Sequence, residues 1–188
     1  MTDNIFFDLR KIASIGRNVI IGRTVRIRYP ELVEIGDDVI IDDFTYISTA
    51  LRLEGRAHIS SGCKLIGGRA AKITMGEFST LAPNVVLAAG SDDYLGGIAT
   101  PMVPIAFKGA VEIGEIRIGR HCIVGANSTV LPNVCLHDGA AVGAQSLVKK
   151  NIAAWELHAG VPARLIRSRN AERIQHLERR FLETRDDG

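Results

Sequence analysis

The sequence predicts an all-β solenoid: a parallel β-helix of about six coils that carries an extended loop and ends in an α-helix. Three observations predict it. Aliphatic residues recur at every sixth position, one long irregular segment interrupts this repeat, and the last part of the chain changes to a helical period. A spacing of six fits neither the helical period of about 3.6 residues nor the alternation of a single strand. It fits coils in which each hexapeptide supplies one short strand and one corner.

Eighteen hexapeptides carry the repeat. Each begins with an aliphatic residue, often followed by glycine, and has a small or β-branched residue four positions after the aliphatic one. Three hexapeptides make one coil of about 18 residues, and the coils stack at the parallel-strand spacing of about 4.8 Å. The aliphatic side chains are expected to fill a triangular interior, and the alternative is a β-sandwich in which the spacing is accidental. The repeat positions are Ile15, Ile21, Ile27, Ile35, Ile41, Ile47, Leu53, Ile59, Leu65, Met75, Leu81, Leu87, Ile118, Val124, Val130, Leu136, Val142 and Val148.

The repeat is interrupted in three places. Two residues are added between Ile27 and Ile35, and four are added between Leu65 and Met75. The longest interruption covers residues 91–114 and contains aspartate, aromatic, glycine and proline residues. A long irregular excursion from a regular scaffold is usually functional or disordered, and this composition favours a functional loop.

The last part of the chain is predicted to be helical, because four apolar residues after residue 170 fall on one helical face. This helix is expected to pack on the solenoid or on a neighbouring subunit and to cover strand edges that an end coil would expose. The predicted domains are a β-helix over residues 1–166, which includes the loop, and a C-terminal helical tail over residues 167–188. The four apolar residues are Ile174, Leu177, Phe181 and Leu182.

Composition excludes several classes of protein. The chain has 23 Lys and Arg residues and 21 Asp and Glu residues, so it lacks the excess of basic residues that is typical of a nucleic-acid binder. The chain has no long apolar run, so no membrane span or secretory leader is expected. Cys63, Cys122 and Cys135 lack the C-x-x-C spacing, which favours a reducing cytoplasm over a disulfide framework or a zinc site. Cys63 and Cys122 occupy the small-residue position and are predicted to be structural.

Three features carry a family resemblance. They are the aliphatic-Gly-x-x-small-x hexads, the segment Pro83-Asn84-Val85 before the loop, and the closing motif Gly160-Val161-Pro162-Ala163-Arg164. In these features the chain resembles the hexapeptide-repeat acyltransferases over nearly its whole length. The resemblance implies a left-handed coil, a homotrimer with each active site between two subunits, and acetyl-CoA along the C-terminal coils as co-substrate. No metal is expected.

The chemistry of CoA supports that placement. Its phosphates require cations, which Lys149, Lys150, Arg164 and Arg167 supply. Its pantetheine arm can lie against backbone groups at corners where the side chains are small. The predicted CoA-binding residues are Gly125, Ala126, Gly143, Ala144, Lys149, Lys150, Pro162 and Arg164.

The loop resembles the catalytic stretch of the family, with one departure. Many members carry a histidine as general base at the position that Asp92 occupies here. A sugar hydroxyl needs such a base, because its own pKa is far above that of a carboxylic acid, whereas a neutral amine attacks a thioester unaided. The departure favours N-acetylation of an amino sugar, and family analogy implies a nucleotide-linked one used in surface polysaccharide biosynthesis. Asp92 and Asp93 are the predicted catalytic residues, and Asn84, Ser91, Tyr94 and Lys108 are predicted to bind the acceptor.

Three other functions stay open. One is O-acetylation of a sugar with a histidine base, either His121 or a histidine of a neighbouring subunit, although His121 is expected to be an exposed spectator. Another is a zinc carbonic anhydrase, which commonly has two histidines five residues apart, a pair that this sequence lacks. The third is a scaffold or binding protein without catalytic activity.

Overall fold

The computed structural model describes residues 4–186. These residues form a parallel β-solenoid of about seven turns and a C-terminal helix, which confirms the predicted fold class. The strands are β1 (Ser14–Ile15), β2 (Ile20–Ile21), β3 (Arg26–Ile27), β4 (Val33–Ile35), β5 (Ile40–Ile41), β6 (Tyr46–Leu53), β7 (His58–Ile59), β8 (Lys64–Met75), β9 (Thr80–Leu81), β10 (Val86–Ala88), β11 (Gly90–Ser91), β12 (Glu112–Ile113), β13 (Glu115–Ile118), β14 (Ile123–Val124), β15 (Thr129–Val130), β16 (Cys135–Leu136), β17 (Ala141–Val142), β18 (Leu147–Val148), β19 (Glu156–Ala159) and β20 (Arg164–Ser168). The helix α1 spans Ala171–Asp186, and short 3₁₀ turns occur at Leu9–Lys11, Pro30–Leu32 and Ile105–Phe107.

Stacking of the coils gives three flat faces, which we call face 1, face 2 and face 3 in the order in which each coil visits them. Face 2 is one sheet in the order β2-β5-β7-β9-β14-β17-β19, with β20 added antiparallel at its end. Faces 1 and 3 share a ten-stranded sheet, because β6 and β8 are long enough to bend around the corner between them. Face 1 also contains β1, β4, β13 and β16, and face 3 contains β3, β10, β15 and β18.

The repeat aliphatics form the core, as predicted. Seventeen of the eighteen are buried, and Ile15 in the first coil is partly buried against them. The interior register continues from coil to coil, since Leu81 pairs with Ile59 on one side and with Val124 on the other. Each fully buried Leu or Ile side chain stabilises the fold by about 1.5–3 kcal/mol relative to its exposure to water.

The corners have a recurring backbone conformation. The residue three positions after a repeat aliphatic adopts a positive φ at most corners, as at Asn84 (60°), Asn127 (57°) and Gly62 (73°). Asparagine and glycine tolerate this left-handed conformation better than other residues. The next residue then enters the narrow space beside the corner, where Cys63 and Cys122 are buried.

A seventh turn follows the last repeat position that the sequence identifies. Ile152 lies only four residues after Val148, so a strict period of six misses it, yet it is 1% exposed and pairs with Leu136. Strand β19 then stacks on β17, and the backbone of Gly160 accepts a hydrogen bond from Leu147 (3.0 Å). The expectation of about six coils is therefore one turn short.

Helix α1 packs on the solenoid corner between faces 1 and 2. Glu178 on the helix accepts hydrogen bonds from Arg120 and from His121 Nε2, the latter over 2.9 Å. The ring of Phe181 meets Phe78 edge to face, with 6.1 Å between centroids. The helix thus packs on the solenoid, which is one of the two alternatives predicted from the sequence. Within the described residues, no helix is long and apolar enough to cross a membrane.

Candidate functional site

The irregular excursion leaves the solenoid at the corner after face 3, in the fourth coil. Strand β11 pairs antiparallel with β12 and closes the base of the loop. A Cβ atom added to Gly90 would lie 2.9 Å from the carbonyl oxygen of Gly67, so the loop base presses directly on the third coil. This close approach requires glycine at position 90, and it fixes where the following residues project.

Asp93 holds the loop together. Its carboxylate accepts backbone N–H bonds from Leu95 (2.8 Å) and Gly96 (3.1 Å) on one arm and from Ala110 (3.0 Å) on the other. These three backbone donors lower the pKa of Asp93 below its ordinary value. Both carboxylate oxygens of Asp93 are thus engaged by the backbone of the loop.

Asp92 and Lys108 form an ion pair across the loop. The Lys108 Nζ donates to Asp92 Oδ1 over 3.0 Å, and the side chains are 15% and 40% exposed, respectively. Ser91 Oγ donates to the backbone carbonyl of Asp92 over 3.1 Å. The structure therefore brings three of the predicted residues together, in an arrangement in which a carboxylate holds a primary ammonium group.

The other two residues predicted to bind the acceptor lie apart from that pair. Tyr94 is 91% exposed, and Asn84 lies at the opposite end of β10, at the corner before face 3. Several apolar side chains of the loop also face solvent in the single chain. They are Leu95, Ile98, Met102, Ile105 and Phe107.

The predicted pantetheine corner is made of closely stacked backbone. A Cβ atom added to Gly125 would lie 2.5 Å from the nitrogen of Ala144, and one added to Gly143 would lie 2.8 Å from the Cβ of Ala159. Stacking of the coils therefore requires both glycines. Ala126 is partly exposed and Ala144 is exposed beside them, so small side chains border this corner.

Three predicted phosphate-binding cations surround one cavity of about 360 Å³ at the end of the solenoid. We call Lys149, Lys150 and Arg164 the terminal cation cluster. Arg167 lies elsewhere, in a separate cavity against α1, so the structure does not group it with the other three. Sequence reasoning missed His158 on the cavity wall, because that residue belongs to the seventh turn.

The closing motif joins the glycine corner to the terminal cation cluster. The Ala163 N–H donates to the carbonyl oxygen of Leu147 over 2.8 Å, so the segment from Gly160 to Ala163 runs beside β18. Pro162 lies in this segment and follows a cis peptide bond. The predicted CoA-binding residues thus follow one path along the last three turns.

The expectation that His121 is an exposed spectator is wrong. Its side chain is 10% exposed, its ring stacks on Phe78 with 5.1 Å between centroids, and its Nε2 lies 2.9 Å from a Glu178 oxygen. Burial, with Arg120 and Arg169 nearby, lowers the pKa of His121 and favours the neutral ring. His121 therefore connects the solenoid to α1 through Glu178.

The buried cysteines are structural, as predicted. Burial raises the pKa of Cys63 to about 11 and that of Cys122 to about 12, so both stay protonated near neutral pH. Residues 4–186 contain no group of three His, Cys, Asp or Glu side chains arranged to hold a metal ion.

Comparison with known proteins gives close relatives, although no protein-family model matches the chain. It is 31% identical over 166 residues to the dTDP-4-amino-4,6-dideoxy-D-glucose acyltransferase of Escherichia coli, with 86% of this chain and 85% of that relative covered. It is 29% identical over 157 residues to the putative colanic acid biosynthesis acetyltransferase WcaF of Escherichia coli, with 84% and 70% covered.

A solved structure has the same fold over nearly the whole chain. It is AntD, an N-acyltransferase from Bacillus cereus. A variant in complex with dTDP-4-amino-4,6-dideoxyglucose and CoA matches with a TM-score of 0.89 and 33% identity, covering 96% of this chain and 98% of that one. AntD in complex with dTDP and 3-hydroxybutyryl-CoA matches with a TM-score of 0.90 and 32% identity, covering 97% and 99%.

Proposed function

This chain belongs to the hexapeptide-repeat acyltransferases of the left-handed β-helix type, and from that premise we propose that it acetylates the amine of a nucleotide-linked amino sugar. The acyl donor in this proposal is acetyl-CoA, and the acceptor is a dTDP-linked amino sugar of surface polysaccharide biosynthesis. The similarity to the dTDP-amino-sugar acyltransferase and to WcaF supports this choice of acceptor and pathway class.

The ion pair between Asp92 and Lys108 is the observation that carries the proposal. The ammonium of Lys108 resembles the protonated amine of an amino sugar, so the pair supports a role for the Asp92 carboxylate in binding such a group. A charge-assisted hydrogen bond of this kind contributes about 1.5–3 kcal/mol, which suffices to orient an acceptor amine. A sugar hydroxyl would gain less from the same carboxylate.

The reaction then needs no strong base. After the acceptor ammonium loses its proton, the amine nitrogen attacks the thioester carbonyl carbon, the carbon–sulfur bond breaks, and CoA leaves as the thiolate. The nitrogen gives up its remaining excess proton to water or to Asp92, and the thiolate takes up a proton. Asp93 positions the loop through its three backbone hydrogen bonds.

CoA in this proposal follows the path along the last three turns. The terminal cation cluster binds its phosphates, and the pantetheine arm runs past Pro162 toward the corner formed by Gly125, Ala126, Gly143 and Ala144. Because phosphate contacts lie far from the reacting thioester, they act mainly on the binding of acetyl-CoA.

A homotrimer is also part of the proposal. On β2, β5, β7, β9, β14, β17 and β19 of face 2, the outward residue directly before the core position is never Lys, Arg, Asp or Glu, and Ile20 and Ile123 in this row are 57% and 40% exposed. Together with the exposed apolar residues of the loop, this row provides surface that a neighbouring subunit would bury. Light scattering should give about three times the chain mass of 20.4 kDa. The row consists of Ile20, Ile40, His58, Thr80, Ile123, Ala141 and Leu157.

We place the protein in the cytoplasm, where acetyl-CoA and nucleotide sugars are substrates. The three cysteines are unpaired, which agrees with a reducing compartment.

O-acetylation remains the second candidate because of one histidine on face 2. His58 Nε2 lies 2.9 Å from Asp42 Oδ2, its Nδ1 lies 3.3 Å from Thr80 Oγ1, and its side chain is 42% exposed. A carboxylate beside an exposed imidazole is an arrangement used for general bases. His58 would serve a sugar hydroxyl only if a neighbouring subunit brought the acceptor to this face.

A CoA-release assay separates the two candidates. Purified protein is given acetyl-CoA and either a dTDP-amino sugar or the dTDP-sugar with a hydroxyl at the same carbon. We expect release with the amine only, a reduced rate in Asp92→Asn and an unchanged rate in His58→Ala. Release with the hydroxyl acceptor that His58→Ala abolishes would contradict the proposal and establish O-acetylation.

A further inference from the structure

Face 3 is divided into two chemically different halves. The strand register places Arg26, Tyr46 and Lys64 in one outward row on the first three coils. The same row continues with Val86, then Thr129, on the following coils. The N-terminal half of this face is therefore cationic and aromatic, whereas the half nearer the CoA path is neutral.

The corner next to the N-terminal half adds two arginines around one tyrosine. The guanidinium carbons of Arg28 and Arg69 lie 5.5 Å and 5.3 Å from the ring centroid of Tyr29. Arg26 lies 5.8 Å from the ring centroid of Tyr46 in the same way. We call these six residues the Arg–Tyr surface. They are Arg26, Arg28, Tyr29, Tyr46, Lys64 and Arg69.

The Arg–Tyr surface has a large excess of positive charge. Four of its side chains are cations, and Arg69 pairs with Glu31 over 2.6 Å. Among the described residues, Arg26, Arg28 and Lys64 have no carboxylate within ion-pair distance. Cations gathered without neutralising carboxylates repel one another, so an anionic ligand would be stabilised here.

The position of this surface fits an elongated acceptor. It occupies the first three coils, and the loop base at Gly90 lies against Gly67 of the third coil. Asp92 is two residues beyond Gly90, and the terminal cation cluster lies further along the solenoid on the C-terminal side of the loop. With about 4.8 Å between coils, the surface is roughly 5–15 Å from the loop along the solenoid axis.

We propose that the Arg–Tyr surface binds the nucleoside diphosphate of the acceptor while the sugar amine reaches Asp92. This inference rests on the proposed function, because it assumes a nucleotide-linked acceptor. The arginines and Lys64 match the diphosphate, since guanidinium groups donate paired hydrogen bonds to phosphate oxygens. Tyr29 and Tyr46 offer ring faces on which a pyrimidine base can stack. The acceptor then lies on the N-terminal side of the loop and acetyl-CoA on the C-terminal side, so their reacting groups meet at the loop.

The test compares the double variant Arg26→Gln/Arg28→Gln with the control variant Arg52→Gln. Arg52 belongs to face 1, is exposed, and pairs with Glu34 over 3.4 Å. Its replacement therefore removes one surface cation at a position away from the proposed site. Equilibrium dialysis measures the Kd for dTDP and for thymidine, and steady-state kinetics measures both KM values. We expect the double variant to raise the Kd for dTDP and the KM for the dTDP-amino sugar about tenfold or more, because each lost charge-assisted bond weakens binding.

In the same variant the KM for acetyl-CoA and the kcat should change little, because the nucleotide contacts are remote from the reacting atoms. Arg52→Gln should match the wild type in every constant. Thermal unfolding of both variants checks that they are folded, and Lys64→Gln gives an independent single change with the same expected direction.

Failure of this inference is distinguishable from failure of the proposed function. Turnover of the dTDP-amino sugar with unchanged Kd and KM values in the double variant and in Lys64→Gln would overturn the inference alone. A rise in the KM for acetyl-CoA without a rise for the acceptor would also overturn it and would assign the surface to CoA. Binding of dTDP that the double variant weakens, without turnover of any amine, would support the inference and refute the proposed function.

Discussion

Replacing Asp92 by asparagine tests the ion pair on which the proposed reaction depends. The asparagine keeps the shape of the side chain and one hydrogen-bond acceptor but removes the charge that holds an ammonium group. A hydrogen bond to a charged group contributes about 1.5–3 kcal/mol and a neutral one about 0.5–1.5 kcal/mol. The difference, about 1–2 kcal/mol of transition-state stabilisation, predicts a fall of roughly five- to thirtyfold in kcat/KM.

The exposure of the pair supports a loss of this size and no larger. The Asp92 side chain is 40% exposed, so water screens part of its charge. General base catalysis typically contributes about 10²–10⁴-fold, and removal of a true base would exceed the predicted loss. The rate should rise with pH toward the pKa of the acceptor amine, because only the neutral amine is a nucleophile.

Asp37→Asn is a matched control for this experiment. Asp37 is also half-exposed, at 41%, and pairs with Arg17 over 2.8 Å at a corner of the first coils. Its replacement should leave kcat/KM unchanged. A loss above a thousandfold in Asp92→Asn, or a pH profile governed by a group near pKa 6.5 that a histidine substitution abolishes, would refute the orienting role and restore a base mechanism.

Four further predictions follow from the same structure. Alanine at all three positions of the terminal cation cluster should raise the KM for acetyl-CoA by tenfold or more with a smaller change in kcat, and an unchanged KM would move the CoA path elsewhere. Leu81→Ala should destabilise the fold by about 2–5 kcal/mol, measured by denaturant unfolding at fixed protein concentration, since this side chain is fully buried in the core. Iodoacetamide at pH 8 should modify Cys135 first, and mass spectrometry should find Cys63 and Cys122 modified only after unfolding, because burial raises their pKa to about 11 and about 12. Because backbone donors lower the pKa of Asp93, its contribution to loop order should persist above the ordinary pKa of a carboxyl and be lost as the pH falls through the lowered value, which limited proteolysis of the loop at acid pH can detect.

The period of six in the sequence determined most of the scaffold. A residue that recurs once in every strand and corner always points toward the interior of the solenoid. The repeat therefore identified seventeen buried core residues and the small residues beside the corners. It missed the seventh turn, because Ile152 follows Val148 after four residues and the count depends on a strict period. The long loop was visible for the same reason, as a gap in an otherwise regular pattern.

The candidate site was only partly determined in this way. The sequence places Ser91, Asp92 and Asp93 next to one another and predicted the same role for both aspartates. It does not show that backbone N–H groups bind the Asp93 carboxylate, which only the folded loop brings about. Arg164 and Arg167 both lie on β20, whose pairing with β19 is irregular between Leu157 and His158, and the two arginines line separate cavities. Which of them joins the terminal cation cluster depends on the orientation of β20.

Periodic, local constraints are fixed by the sequence itself, because every coil repeats the same backbone geometry. Contacts between segments far apart in the chain are decided only in the tertiary structure. Helix α1 covers His121 although Glu178 lies 57 positions further along the chain, which leaves the ring, predicted to be exposed, with only 10% of its side chain exposed. The Arg–Tyr surface likewise exists only because the stacked coils bring Tyr29 and Arg69 to one corner. These residues are too far apart in the sequence for a local pattern to predict their contact.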